Sequence, residues 1–373
     1  MLQFAIPCLL GLESLVGDEV KRLGLAEVRV ENGRVLCRGE ERDLARLNIN
    51  LRCGARVLLV LASFRATDFE ALFQGTRAVR WEDWIPREGE FPVTGYSINS
   101  TLHSVPACQS IVKKAVAERL GAAYGLAALP ETGKRYQIRF SIMKDEAMLC
   151  LDASGEGLYK RGYRAVGVAA PLKETLAAAM VKLSRYNGRD PLCDPFCGSG
   201  TIAIEAALIA KNRAPGLNRS FAAQHWAMVD KRIWLDAADE AMDNEFHDKT
   251  YEIWGGDIDP RAVEIARHNA QLAEVDDTVR FEVDDATRFH WGGQYGRIVT
   301  NPPYGERLLE QREAEELYRA FGRAMEKLPD TWRVYVLSSH TEFERCFGRE
   351  ADKKRKLYNG MLKCDLFMYG KKV

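Results

Sequence analysis

Beyond about residue 165, short apolar runs alternate with stretches of helical periodicity. The runs are "DPLCDPF", "YEIWGGDID", "VRFEVDDA", "RIVTNPP" and "RVYVLSS". Between them lie "TIAIEAALIAKN", "PRAVEIARHNAQLA" and "EAEELYRAFGRAMEKL". This pattern leaves few topologies. Each strand feeds a helix that crosses back to a parallel neighbour, so the expected fold is α/β with a doubly wound sheet. The last segment, "KRKLYNGMLKCDLFMYG", turns on Asn359-Gly360 and predicts a terminal hairpin that adds an antiparallel edge. Ligands of such sheets bind beyond the carboxyl ends of the strands, so the residues at strand ends are the first candidates for a site.

Four strand ends carry polar chemistry. In "CDPFCGSGT", Asp194 closes a strand, Gly198 and Gly200 let backbone approach a ligand, and Thr201 opens a helix. The loop lacks the lysine of a P-loop and the third glycine of the dinucleotide fingerprint. In "GGDIDP", Asp257 stands where a carboxylate accepts both hydroxyls of a ribose. It lies 57 residues after Gly200, against about 20 in the usual spacing. The intervening stretch therefore reads as an insert with its own helix, with Trp226 and Trp234 packing it against the sheet. In "DDA", Asp285 can accept the amino group of an adenine. The fourth end is "TNPPYGER". Proline cannot donate to a ladder and biases the preceding residue away from helix, so Asn301 sits on a stiff corner. An exocyclic amine on a base is a poor nucleophile because its lone pair is delocalised. The Asn301 side-chain oxygen and the Pro302 carbonyl can each accept one N–H and aim that lone pair, an effect of orientation. Pro303 stiffens the loop, and Tyr304 offers a flat face for a splayed-out base.

The first 160 residues alternate differently. "QFAIPCL", a hairpin on Asn32-Gly33, "RVLLVLASF", "PVTGYSI" and "YQIRFSIMKDEAMLCLDAS" read as strands, with helices between them, in a small α+β arrangement. Lys+Arg and Asp+Glu both total 53, which excludes a wholly basic nucleic-acid coat but not a local basic face. Lys160, Arg161 and Arg164 form one such cluster at the expected domain boundary near residue 165, and Lys353 to Lys356 form another. Nine cysteines without CxxC pairs predict reduced thiols in the cytoplasm and no metal site. No run is long and apolar enough for a transmembrane helix, and the start lacks the basic leading region of a signal peptide.

Together "DPFCGSGT", "DID", "DDA" and "NPPYGER" resemble the successive motifs of class I S-adenosylmethionine-dependent amino-methyltransferases. The words "APLKETLAAA", "EAALIAKNRAPGLNRSFA" and "KLYNG" narrow the resemblance to the bacterial 23S ribosomal RNA guanine-N2 methyltransferase family, which carries an N-terminal THUMP domain. The resemblance implies a ferredoxin-like unit over 1–60, a THUMP RNA-binding domain over 61–160, and a Rossmann-like methyltransferase domain over 165–373. It also implies S-adenosylmethionine as cofactor and structured RNA as partner. Asp194, Phe196, Cys197, Gly198, Gly200 and Thr201 would shape the methionine pocket, without a nucleophilic role for Cys197. Asp257 and Ile258 would meet the ribose, and Asp285 and Ala286 the adenine. Lys160, Arg161, Arg164 and Arg307 would contact RNA. Some family members carry a second methyltransferase domain, and its activity is not expected here. A transfer-RNA guanine-N2 methyltransferase, an adenine-N6 methyltransferase and a non-catalytic RNA-binding assembly factor stay open as alternatives.

Overall fold

Two tight turns and one long shared strand organise the first half of the chain. The computed structural model describes residues 1–164, 172–304 and 308–370. Strand β1 (Leu2–Pro7) leads to helix α1 (Glu13–Arg22), then to β2 (Ala26–Glu31) and β3 (Arg34–Gly39), joined at the expected Asn32-Gly33 turn. Helix α2 (Glu41–Asn50) starts with a reciprocal pair, in which the Glu40 backbone N–H donates to the Asp43 carboxylate at 2.8 Å. Next come β4 (Leu58–Arg65), α3 (Phe69–Arg77), β5 (Val93–Ile98), α4 (Val105–Tyr124), β6 (Ile138–Met143) and β7 (Glu146–Asp152). All seven strands form one sheet in the order β2-β3-β1-β4-β7-β6-β5. Strand β4 pairs with β1 on one side and β7 on the other, and the boundary expected after residue 60 falls inside it.

The chain divides into two units. One holds Met1–Cys8, Gly17–Leu158 and Ser220–Glu240; the other holds Leu9–Val16, Tyr159–Arg219 and Ala241–Val373. This corrects the expectation for the insert. Residues 220–240 belong with the first unit. Trp226 stacks on Tyr136 with centroids 5.9 Å apart, and the backbone N–H of Ala227 donates to the Tyr136 hydroxyl at 3.3 Å. Trp234 stacks on Phe221 within the insert.

The second unit follows the alternation. It runs α5 (Glu174–Leu183), β8 (Leu192–Asp194), α6 (Thr201–Ala210), β9 (Ile253–Asp257), α8 (Pro260–Leu272), β10 (Val279–Val283) and β11 (Arg297–Thr300), while α7 (Arg232–Asp243), which falls between α6 and β9 in the chain, belongs through Glu240 to the first unit. It then continues through α9 (Leu308–Met325), β12 (Arg333–Ser338), α10 (Phe343–Phe347), β13 (Lys353–Asn359) and β14 (Leu362–Tyr369). The sheet order is β10-β9-β8-β11-β12-β14-β13, parallel from β10 to β12 and antiparallel through the closing hairpin. Strand order reverses between β8 and β11, which opens a crevice at their carboxyl ends. One face is sealed by an aromatic layer that includes Trp254, Phe289, Tyr318, Phe321, Trp332, Phe343 and Phe367. Each such side chain contributes about 1.5–3 kcal/mol by burial, so the crevice rests on a stiff floor.

Candidate active site

The turn after β8 is pinned from several directions. Asp194 is 1% exposed, and its Oδ1 accepts from the Thr300 hydroxyl at 2.6 Å and from the Phe196 backbone N–H at 3.2 Å. The first of these bonds ties the cofactor loop on β8 to the end of β11, one residue before Asn301. Burial pushes the Asp194 carboxyl up to about 7, opposed by those two hydrogen bonds. Asp257 holds the loop from the other side. Its Oδ2 accepts from the Gly198 N–H at 2.9 Å, and its Oδ1 accepts from the Asp259 N–H at 3.0 Å. Each oxygen keeps acceptor capacity toward a ligand. The Asn269 side-chain amide adds a third tie by donating to the Ser199 carbonyl at 2.9 Å.

The two loop glycines serve different needs. Gly198 has φ +50°, and a Cβ built on it meets nothing within 4 Å, so the loop presents bare backbone to open space. Gly200 has φ +84°, and a Cβ there would lie 2.8 Å from Phe281 and 2.9 Å from Ala266. It lets α6 start against β10 and α8, the packing role of a fingerprint glycine. Beyond β9, Ile258 is 72% exposed. A bare backbone turn, a carboxylate at the next strand end and an apolar face beside it suit a nucleoside with a charged tail.

Some candidates point elsewhere. Phe196 packs edge-on against Phe321 at 5.0 Å, within the aromatic floor, and Ala286 is buried in the same layer. Cys197 is buried, and burial pushes its thiol up, so it stays protonated and inert. Asp285 caps a short turn: its Oδ1 accepts from the Thr287 N–H and hydroxyl at 2.9 and 2.7 Å. That bonding holds its carboxyl below the ordinary range.

The basic cluster is corrected more sharply. Arg161 is 3% exposed, and its Nε lies 3.2 Å from the carboxylate of Glu205, itself fully buried; the Tyr163 hydroxyl donates to the same oxygen. Arg164 donates to the Thr201 hydroxyl at 2.8 Å and to the Leu172 carbonyl at 3.2 Å, and it pairs with Glu174 at 3.5 Å. A guanidinium desolvated among such partners is spent on structure. These two arginines brace the start of α6, and neither is placed to contact RNA. Thr201 is likewise engaged with the protein through Arg164. Lys160 stays exposed, and Arg307 lies outside the described residues.

At the end of β11, Asn301 and Tyr304 are half-buried, Pro302 is buried and Pro303 is exposed. The Tyr304 hydroxyl donates to the Asn301 Oδ1. This bond fixes which way the amide oxygen faces, and the oxygen retains a second lone pair. The Pro303 carbonyl is taken by the Tyr318 hydroxyl at 2.7 Å. Asn301 and the loop behind it are thus held before any substrate arrives. Thr300, Asn269 and Tyr318 were not singled out from sequence. Nothing in their own segments marks them, because their partners lie 106, 70 and 15 positions away.

Comparison with known proteins agrees with this architecture. Residues 161–367 match the UPF0020 model, described as RMKL-like, methyltransferase domain. Residues 3–58 match the RlmL ferredoxin-like domain and residues 66–152 the THUMP domain. The chain is 46% identical over 98% of its length to "Putative RNA methyltransferase YpsC" of Bacillus subtilis (strain 168), covering 94% of that protein. A crystal structure named "a predicted N6-adenine-specific DNA methylase from Listeria monocytogenes str. 4b F2365" is 46% identical, with TM-score 0.93 over 99% of this chain and 96% of that one. A structure named "SMU.472, a putative methyltransferase complexed with SAH" is 41% identical, with TM-score 0.91 over 100% and 99% of the two chains. With its crevice at the β8–β11 reversal and its matching domains in the same order, this chain belongs to the UPF0020 family of RMKL-like methyltransferases.

Proposed function

We propose that this protein uses S-adenosylmethionine to methylate the exocyclic N2 amine of a guanine in RNA, with 23S ribosomal RNA as substrate. The observation that carries the reading is the Asn301–Pro302 corner, joined through Thr300 and Asp194 to the bare-backbone turn at Gly198. Amine acceptors and cofactor loop thereby share one rigid strand-end assembly. S-adenosylmethionine is the cofactor, and when bound it supplies a methyl group on positively charged sulfur. Asp257 would accept from its ribose, Ile258 would lie beside its adenine, and the Gly198 backbone and Asp194 would hold its methionine portion. Asn301 Oδ1 and the Pro302 carbonyl accept the two N–H groups of the target amine, and Tyr304 steadies Asn301 and borders the base. Exposed Lys160 is kept as an RNA contact. The THUMP match and the RNA substrate in the name of YpsC support RNA over DNA. The name of the Listeria structure favours adenine N6 as the second reading.

Nucleoside analysis decides between them. Purified protein, labelled cofactor and ribosomal RNA from a deletion strain should yield N2-methylguanosine on digestion. N6-methyladenosine alone, or label in transfer RNA only, would replace the proposal with the corresponding alternative.

Asp194 gives this site a pH signature. Its folded pKa of about 7 lies above the ordinary 3.8. Its contribution to stability is therefore complete below about 3.8 and is lost as pH rises through about 7. A cationic ligand favours the ionised carboxylate, so cofactor affinity should rise about tenfold from pH 6 to pH 8. Calorimetry across that range should show proton release near pH 6.5, and Asp194→Asn should flatten the profile. An equally steep profile in the variant would assign the titration to another group.

A further inference from the structure

The hairpin β13–β14 carries chemistry that the site above leaves unused. Pairing of β14 with β12 sets Asp365 opposite Ser338 at the carboxyl end of β12. The turn at Asn359–Leu362 therefore projects beyond the same sheet edge that carries Asn301. It is fastened to the reacting loop, because the Cys364 thiol donates to the Tyr304 hydroxyl at 3.8 Å. One face of the hairpin is inward, with Leu357 and Cys364 buried. The other face carries the opposed pairs Tyr358–Lys363 and Lys356–Asp365, with Lys354 further along, salt-bridged to Glu344 at 2.6 Å. Lys356 and Lys363 are exposed and make no ion pair among the described residues. At the tip stands Met361, 99% exposed.

A flexible apolar side chain held entirely in water contributes nothing to the fold, and here it stands at the catalytic edge between lysines. A base can reach Asn301 only by leaving its stack, which leaves a gap between its neighbours. Methionine is among the apolar wedges that fill such gaps, and lysines beside the wedge suit the flanking phosphates. We propose that the β13–β14 turn enters the RNA, with Met361 taking the place of the target base and Lys356 and Lys363 on adjacent phosphates. This rests on the nucleic-acid reading of the site given above.

The test uses full-length protein, labelled cofactor and ribosomal RNA from a deletion strain. Met361→Ala should lower kcat/KM for RNA at least tenfold with cofactor affinity unchanged, and Met361→Phe should recover most of the loss. Replacing both Lys356 and Lys363 by alanine should weaken RNA binding and reduce the slope of log affinity against log salt by about one to two. Wild-type kcat/KM in both Met361→Ala and Met361→Asp, or an unchanged salt slope in the lysine variant, overturns the proposal. If the native protein labels no RNA at all, the substrate reading is what has failed. The salt slope then decides the hairpin alone: a reduced slope keeps it as an RNA surface, and an unchanged one removes it.

Discussion

Replacing Asn301 with alanine should leave cofactor affinity within about threefold and cut turnover by about 10³-fold. The side chain is the only part of the corner that the substitution removes. The β11 strand, the Thr300–Asp194 bond at 2.6 Å and the Tyr318–Pro303 bond at 2.7 Å all remain. Losing one preorganised acceptor costs about 10²–10³ in rate where charge develops in the transition state. Loss of the Tyr304 partner adds disorder in the loop. Single-turnover kinetics beside a cofactor titration separate the two effects. Parallel loss of affinity and rate would make Asn301 a structural residue and remove the basis for an amine-orienting corner.

The second large effect concerns stability. Arg161→Ala should destabilise the protein by about 3–5 kcal/mol, because it strands a buried carboxylate. Glu205 has no exposure, and it accepts from both Arg161 and Tyr163. Exchanging the pair together, Arg161→Met with Glu205→Leu, should recover most of the loss, since apolar replacements of buried pairs are often neutral. Urea denaturation of the single and double variants measures both. An Arg161→Ala protein of native stability and weakened RNA affinity would return this arginine to the RNA surface.

The contrast between these two residues shows what was legible beforehand. Asn301 was readable because its constraints are local: proline on its carboxyl side biases its backbone, and an apolar run before it marks a strand. The order of the strand ends was readable for the same reason, since alternation of strand and helix forces parallel neighbours and puts their carboxyl ends on one edge. Arg161 was misread because a Lys-Arg pair in a glycine-rich stretch looks identical whether solvated or buried. Its partner lies 44 positions away on α6. The orientation of Phe196 is hidden from sequence for the same reason. A ring inside a ligand loop can face the ligand or the floor, and Phe321 on α9 holds it to the floor. Asp285 was placed correctly at a strand end, yet its nearest donors are its own neighbours at Thr287.

The amino-acid order alone determined the α/β alternation, the bare turn at Gly198, the corner at Asn301 and the terminal hairpin. Backbone bias and apolar periodicity act over a few residues, so each of these can be read from its own segment. Tertiary structure alone decided that residues 220–240 join the first unit, that Arg161 is interior, and that Asp194 meets Thr300 across 106 positions. Those outcomes depend on which distant side chain arrives at a buried polar atom. A polar atom taken out of water must find some partner, and nothing in its own segment says which one.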